Sequence, residues 1–138
     1  MPRGNDQIEE IRAQLTRDQV GSLQGLAEVS GISERTVQRH LKSLQAMTSF
    51  THRRKFVALP NTPRFDENGI WFYRKIGFSK FGTSIDTILW LIEQSEAGLS
   101  RMELETILRT GLSKQIQILV QRGAVHRTKI GNQYLYIP

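Results

Sequence analysis

Two short amphipathic helices are predicted on either side of Gly31, and this pair restricts the fold of the first half of the chain. The first helix covers residues 23–30, and the second opens at Ser33 and runs to about residue 46. Glycine ends the first helix because it tolerates the left-handed conformation that a tight helix exit requires. The pattern therefore predicts two helices joined by a tight turn.

One further helix and two strands are predicted around this pair. Residues 6–17 have the spacing of an amphipathic helix. Its apolar stripe consists of Ile8, Ile11 and Leu15. Residues 49–52 and 56–59 have the composition of short strands and flank the polar loop Arg53-Arg54-Lys55.

Residues 60–82 differ in character and are predicted to form a connector. Turn-forming residues are frequent in this segment, and residues 70–73 and 76–78 can form a small hairpin. Its aromatic residues are Phe65, Trp71, Phe72, Tyr73, Phe78 and Phe81. We expect them either to form an apolar plug between two halves or to expose a surface for ligand binding or base stacking.

Two helices are predicted to follow the connector. Thr83 or Ser84 caps the first, which ends near Gly98. Ser100 and Glu103 have the spacing of a capping box, in which the two side chains bond each other's free backbone N–H groups. This box starts the second helix, which is predicted to run to Leu108.

A last helix and a hairpin complete the second half. Gly111 breaks the preceding helix, and Ser113 opens the last one. Residues 125–130 and 133–137 flank Gly131-Asn132, a common two-residue hairpin turn. Each half thus has the order helix, helix, turn, helix, hairpin, and the predicted fold class is mainly α with small β-hairpins (α+β).

The charge of the chain is positive and unevenly distributed. Its net charge is +6 and its pI about 10.1. Residues 33–55 carry six Lys and Arg against one acid, and residues 109–129 carry five against none, whereas residues 83–108 are acidic. This balance favours an anionic partner, most commonly nucleic acid, although an ordinary solvated surface has the same composition.

Residues 26–41 resemble the helix-turn-helix of winged-helix DNA-binding proteins. Ala27 stands where the two helices touch, Gly31 forms the turn, and Val37 is the core residue of the recognition helix. The resemblance implies two tandem winged-helix domains joined by the aromatic connector. The segments implied are residues 1–59, 60–82 and 83–138.

The resemblance also implies a DNA-binding surface on residues 33–46. If Val37 faces the core, the polar residues of this helix face outward, where Arg can bond guanine, Gln can bond adenine and Lys can contact phosphate. The loop Arg53-Arg54-Lys55 would form a wing tip against the DNA backbone or minor groove. The contact residues expected in the first half are Ser33, Arg35, Thr36, Gln38, Arg39, Lys42, Arg53, Arg54 and Lys55.

The second half resembles the winged-helix pattern less closely. It keeps the glycine of the turn at Gly111, but Ile107 replaces a small residue and Gln117 replaces an aliphatic one. Its expected backbone contacts are Lys114, Arg127 and Lys129.

The hairpin of the second half is predicted to present a basic and aromatic face. The side chains expected on this face are Arg127, Lys129, Tyr134 and Tyr136. Leu135 and Ile137 are expected to point to the core. The face suits phosphate contacts, or equally a surface on which cationic stems cover aromatic rings.

A second resemblance covers roughly the last 80 residues. Its motifs are Leu59-Pro60, Phe65-Asp66, Gly69-Ile70-Trp71, Phe78-Ser79 and Gly82-Thr83. They are similar to small proteins encoded beside transposases, which implies a mobile-element context.

Several function classes are disfavoured. The chain has no cysteine, its three histidines lack metal-ligand spacing, and no glycine-rich loop precedes a Lys-Ser or Lys-Thr pair. We therefore expect no enzyme activity, no metal and no cofactor. No apolar run reaches the length of a membrane span, and residues 1–6 lack a signal-peptide core, so a cytoplasmic, nucleoid-associated protein is expected.

The function expected is sequence-specific binding of double-stranded DNA, most commonly in transcriptional regulation, and the partners expected are double-stranded DNA and a second copy of the chain in a homodimer. The alternatives are a DNA-binding accessory protein of a transposon or replication system and a winged-helix scaffold for protein–protein association.

Overall fold

The computed structural model describes residues 4–138, and the chain forms two compact units. The first unit contains the residues up to Arg64 together with Trp71–Phe78, and the second contains Phe65–Ile70 and Ser79–Pro138. Both are built from helices and small antiparallel sheets, as expected for an α+β chain. Part of the segment considered for a signal peptide, residues 1–3, lies outside the described residues.

The first unit has three helices and a three-stranded sheet. The helices are α1 (Gly4–Asp18), α2 (Leu23–Ser30) and α3 (Glu34–Ser43). The strands are β1 (Gly21–Ser22), β2 (Met47–Thr48) and β3 (Phe56–Ala58). They pair antiparallel in the order β1-β3-β2, with Gly21 opposite Val57 and Met47 opposite Ala58.

Local signals place the pair α2 and α3 as predicted. The side chains of Ser22 and Ser33 accept the capping hydrogen bonds of these helices from Gly25 N and Thr36 N. Gly31 ends α2 in the left-handed conformation, with φ 68°. The helices enclose a core that contains Ile11, Leu15, Leu26, Val37, Leu41, Leu44 and Val57.

The predicted hairpin within residues 60–82 is confirmed. It consists of β4 (Ile70–Tyr73) and β5 (Ile76–Ser79), joined at Arg74-Lys75. Phe78 is fully buried, and Trp71, Phe72 and Tyr73 are half-buried. The two units divide residues 60–82 between them.

The second unit repeats the order of elements seen in the first. Its helices are α4 (Ser84–Gln94), α5 (Arg101–Leu108) and α6 (Ser113–Gln121). Its strands are β6 (Leu99–Ser100), β7 (His126–Ile130) and β8 (Gln133–Ile137), paired in the order β6-β8-β7. Thr83 caps α4, and the predicted capping box of Ser100 and Glu103 is present at α5.

Two predictions about strands were wrong. Residues 49–52 are not a strand. Ser49 N still donates to Phe56 O of β3, but Phe50 N donates to Gly77 O instead of to β3, and Ser49 Oγ donates to Thr51 O. Two strands were predicted in each half, but each of these sheets has three. The additional strands are β1 and β6, and each ends at the residue that caps the following helix.

Two helix ends and one helix exit differ from the prediction. α3 ends at Ser43 instead of residue 46, since Gln45 adopts a positive φ of 56°. α4 ends at Gln94, well before Gly98. α5 ends at Leu108 as predicted, but it exits through Arg109, with φ 56°, and not through Gly111.

The last helix and the last strand also depart from the expected pattern. Leu112 precedes α6 without a side-chain cap, and its N–H bonds to Glu105 Oε2 at 2.8 Å. Tyr136 is buried with 8% of its surface exposed, although it was expected on the outer face. Leu135 and Ile137, expected in the core, are only half-buried.

No helix among the described residues combines the length and apolar character that crossing a bilayer requires.

Candidate nucleic-acid interface

The helix α3 has one buried and one exposed face. Val37 has no exposed surface, and Leu41 and Leu44 are also buried. The charged and amide side chains of the other face are exposed: Glu34, Arg35, Gln38, Arg39 and Lys42. The 3.6-residue period predicted this division correctly.

Two of the predicted contact residues hold the start of α3. Ser33 Oγ accepts a hydrogen bond from Thr36 N at 3.1 Å and lies 2.9 Å from Thr36 Oγ1. This pair satisfies one free N–H group at the helix start, that of Thr36, and fixes the direction of the first turn. Ser33 remains exposed, whereas Thr36 is half-buried.

His40 joins α3 to α1. Its ring lies at the edge of the core with 6% of its surface exposed, and Nε2 is 2.9 Å from Gln7 Oε1. The contact holds α3 against α1, and His40 does not lie on the exposed face of α3.

Residues 49–55, here called the basic loop, carry the other cations of the first unit. His52, Arg53 and Arg54 form a left-handed turn with φ values of 54°, 55° and 61°. Arg54 N donates to Thr51 O at 3.0 Å, and Lys55 N donates to His52 O at 3.1 Å. Arg53, Arg54 and Lys55 are exposed at this turn.

A groove brings α3 and the basic loop together. Its volume is about 370 Å³. Gln38 and Lys42 line it from α3, and Arg54 and Lys55 line it from the loop. Leu23, Leu41 and Val57 contribute to its floor, and Thr48 and Ala46 complete the lining. Arg35, Arg39 and Arg53 are exposed but do not line the groove.

The cations of this surface are not paired with acids in the part of the chain that the structure describes. None of the six Lys and Arg of residues 33–55 forms an ion pair with another described residue. By contrast, Arg17 in α1 donates to Asp18 at 3.1 Å and lowers the pKa of that carboxyl by this hydrogen bond. Residues 33–55, with one acid against six cations, therefore present a net positive charge that can attract an anionic polymer.

The second unit has a larger groove of different chemistry, with a volume of about 720 Å³. Arg127 lines it, and its guanidinium lies 4.5 Å from the centre of the Tyr134 ring. Lys129 Nζ lies 5.8 Å from the centre of the same ring. Lys114 is exposed on α6 and does not line the groove.

Sequence reasoning missed the contribution of α5 to this groove. Arg101 lines it and donates to Ser113 Oγ at 2.9 Å, and the neighbouring Met102 is 75% exposed. The only signal available was the capping box, which fixes where α5 starts but not what its first turn contacts.

Comparison with known proteins does not assign a family to the chain. No protein-family model matches the chain, and no curated protein matches it.

Proposed function

We propose that this protein binds double-stranded DNA sequence-specifically, with α3 in the major groove and the basic loop against the backbone. The observation that carries the proposal is the groove shared by Gln38, Lys42, Arg54 and Lys55. In this groove α3 supplies an amide and a cation, and the basic loop supplies two further cations. A protein that reads DNA bases needs polar groups for the base edges and cations for the neighbouring phosphates.

The order of elements supports tandem winged-helix domains. Each unit has a helix, a short strand, two helices and two further strands, and each sheet has its first strand beside its last. In this assignment α3 is the recognition helix and the basic loop is the wing.

The exposed residues of α3 divide into base-reading and positioning roles. Arg35 and Arg39 suit two hydrogen bonds to a guanine edge, and Gln38 suits an adenine edge. Lys42 lies in the groove beside the loop and suits a phosphate contact. The DNA-binding use is then regulation of transcription in the cytoplasm, and a homodimer would read a palindromic site.

A protein-binding role is the second candidate, and it concerns the second unit. Met102 and Tyr134 are exposed and apolar beside the cations of the larger groove. Exposed apolar side chains contribute more to a protein contact than to a phosphate contact. Lys114, Arg127 and Lys129 would otherwise add contacts to the DNA backbone.

The test is binding of the full chain to a duplex selected from a random pool and to a scrambled duplex. Because four or five phosphates would be neutralised, affinity should fall about 100- to 1,000-fold between about 50 and 200 mM salt. Replacing Arg35, Gln38 and Arg39 by Ala together should abolish the preference for the selected duplex.

A matched control is Arg12→Ala, which also removes an exposed helical cation of the first unit. Arg12 is already paired with Glu9 at 3.3 Å, so this change should leave binding nearly unaltered. A salt-independent affinity, or no binding at low salt, contradicts the proposal.

A further inference from the structure

The hairpin of β4 and β5 is hydrogen-bonded to the basic loop. Phe50 N donates to Gly77 O at 2.9 Å. Gly77 N donates to Thr51 Oγ1, also at 2.9 Å, and Thr51 is 8% exposed. All three residues belong to the first unit, so a single hairpin residue bonds the loop at two consecutive positions.

Side-chain packing explains why a glycine stands at this contact. A Cβ atom at position 77 would lie 2.5 Å from Cζ of Phe50 and 3.0 Å from Cε1 of Phe72. The rings of Phe50 and Phe72 meet edge to face, with their centres 6.1 Å apart. A residue without a side chain leaves the space that these two rings occupy beside the contact.

The loop has a conformation that requires such support. Three consecutive non-glycine residues, His52, Arg53 and Arg54, have positive φ, a region that L-residues avoid. Thr51 lies immediately before them, and its backbone oxygen accepts from both Ser49 Oγ and Arg54 N. Thr51 therefore links the left-handed turn to Gly77 on the hairpin.

We infer that the β4–β5 hairpin positions the basic loop for DNA, with Thr51 and Gly77 as the positioning residues. The inference rests on the proposed function and assigns the hairpin a role in binding. A loop fixed before binding loses less conformational freedom on contact with phosphates, so its cations contribute more to affinity. Neither residue touches DNA in this arrangement.

The test compares Thr51→Val with Thr87→Val in the full chain. Both threonines are buried and hydrogen-bonded, but Thr87 bonds to Ser79 and Thr83 O in the second unit. Thr51→Val should weaken binding to selected and scrambled duplexes by the same factor. It should also reduce the slope of log affinity against log salt by about one to two, at about 0.9 for each lost phosphate contact. Thr87→Val should keep the wild-type slope, since a purely structural loss of folded protein does not change it.

Gly77→Ala is the second variant and should reproduce the change in slope. If both Thr51→Val and Gly77→Ala bind with the wild-type slope while the wild type binds DNA, the hairpin does not position the loop. If the wild type itself fails to bind, the proposed function is wrong, and that result is distinct from a failure of this inference.

Hydrogen exchange of the wild type keeps the inference testable when a variant does not fold. The amides of Gly77 and Arg54 should be protected from exchange in the free protein, because each donates a hydrogen bond that holds the loop. Exchange of both amides at the rate of an unstructured chain would overturn it.

Discussion

Lys42 on α3 and Arg54 in the basic loop line the same groove, although β2 and the turn after it separate them in the sequence. Arg39, on the same helix as Lys42, is exposed outside this groove. The cations of the first unit therefore fall into two groups: Lys42 and Arg54 line the groove, and Arg39 lies outside it. If the unit binds DNA, these positions should differ in what they recognise.

Arg39→Ala should lower affinity for the selected duplex far more than for a scrambled one. Arg39 lies two positions after the buried Val37, which turns it about 200° away from the core. A bidentate contact to guanine is worth about 1–3 kcal/mol of discrimination. The measurement is the ratio of the two affinities at one salt concentration. An unchanged ratio would assign base reading to another part of the chain.

Arg54→Ala should weaken binding to both duplexes by a similar factor. Its position at the loop suits a phosphate, which carries no base information, so the salt slope should fall by about one. Titrations of both duplexes at two salt concentrations measure this. A loss of selectivity as large as that of Arg39→Ala would mean that the loop reads bases.

Much of the fold follows from local signals. Ser22, Gly31 and Ser33 predict the ends of α2 and α3 because caps and a left-handed exit depend on residues within one turn. Gly131-Asn132 predicts the pairing of β7 and β8, which the structure confirms with Lys129 opposite Tyr134. These elements need no information from the rest of the chain.

The parts that were missed depend on distant partners. β1 and β6 have two residues each and form only because β3 and β8 pair with them. Likewise, the exposed face of α3 follows from helical period, but the bond from Gly77 to Thr51 joins residues 26 positions apart. No local pattern contains that contact.

Gly31→Ala should lower the free energy of unfolding of the first unit by about 1 kcal/mol. Its φ is 68°, and an added Cβ would meet nothing within 4 Å, so the cost is conformational and not steric. Gln19 leaves α1 with φ 69°, and Gln19→Gly should stabilise the unit by about 0.5–1 kcal/mol. Urea unfolding measures both changes.

The control for these two variants is Gly111→Ala. Gly111 does not have a positive φ, and an added Cβ would come no closer than 4.0 Å to Glu105 Oε2. Its stability should equal or exceed that of the wild type, since alanine restricts the unfolded chain. A loss as large as that of Gly31→Ala would remove the conformational explanation.

Ser100→Ala should destabilise the second unit by about 1–2 kcal/mol. Ser100 Oγ accepts from Glu103 N at 3.1 Å, and Glu103 Oε1 accepts from Ser100 N at 3.0 Å. Since Ser100 is 2% exposed, water cannot readily replace the lost acceptor. Glu103→Gln keeps an acceptor and should cost much less, whereas Ser100→Ala with Glu103→Ala should cost less than the sum of the single changes. Additive losses would show that the two bonds are independent.

Phe78→Ala should be the most destabilising of the changes considered, at about 3–5 kcal/mol. Phe78 is fully buried, and its ring centre lies 5.5 Å from that of Trp71. Phe78→Leu fills most of the space and should cost about 1–1.5 kcal/mol.

Tryptophan fluorescence measures the effect of Phe78→Ala on the hairpin. Because the second tryptophan, Trp90, stacks on Phe81 in the second unit, a Trp90→Phe background makes the fluorescence report on Trp71 alone. In that background, Phe78→Ala should shift the folded-state emission of Trp71 to longer wavelength as water enters, and lower the urea midpoint. An unchanged emission and midpoint would mean that Phe78 does not support the hairpin, which would also weaken the role assigned to Gly77 beside it.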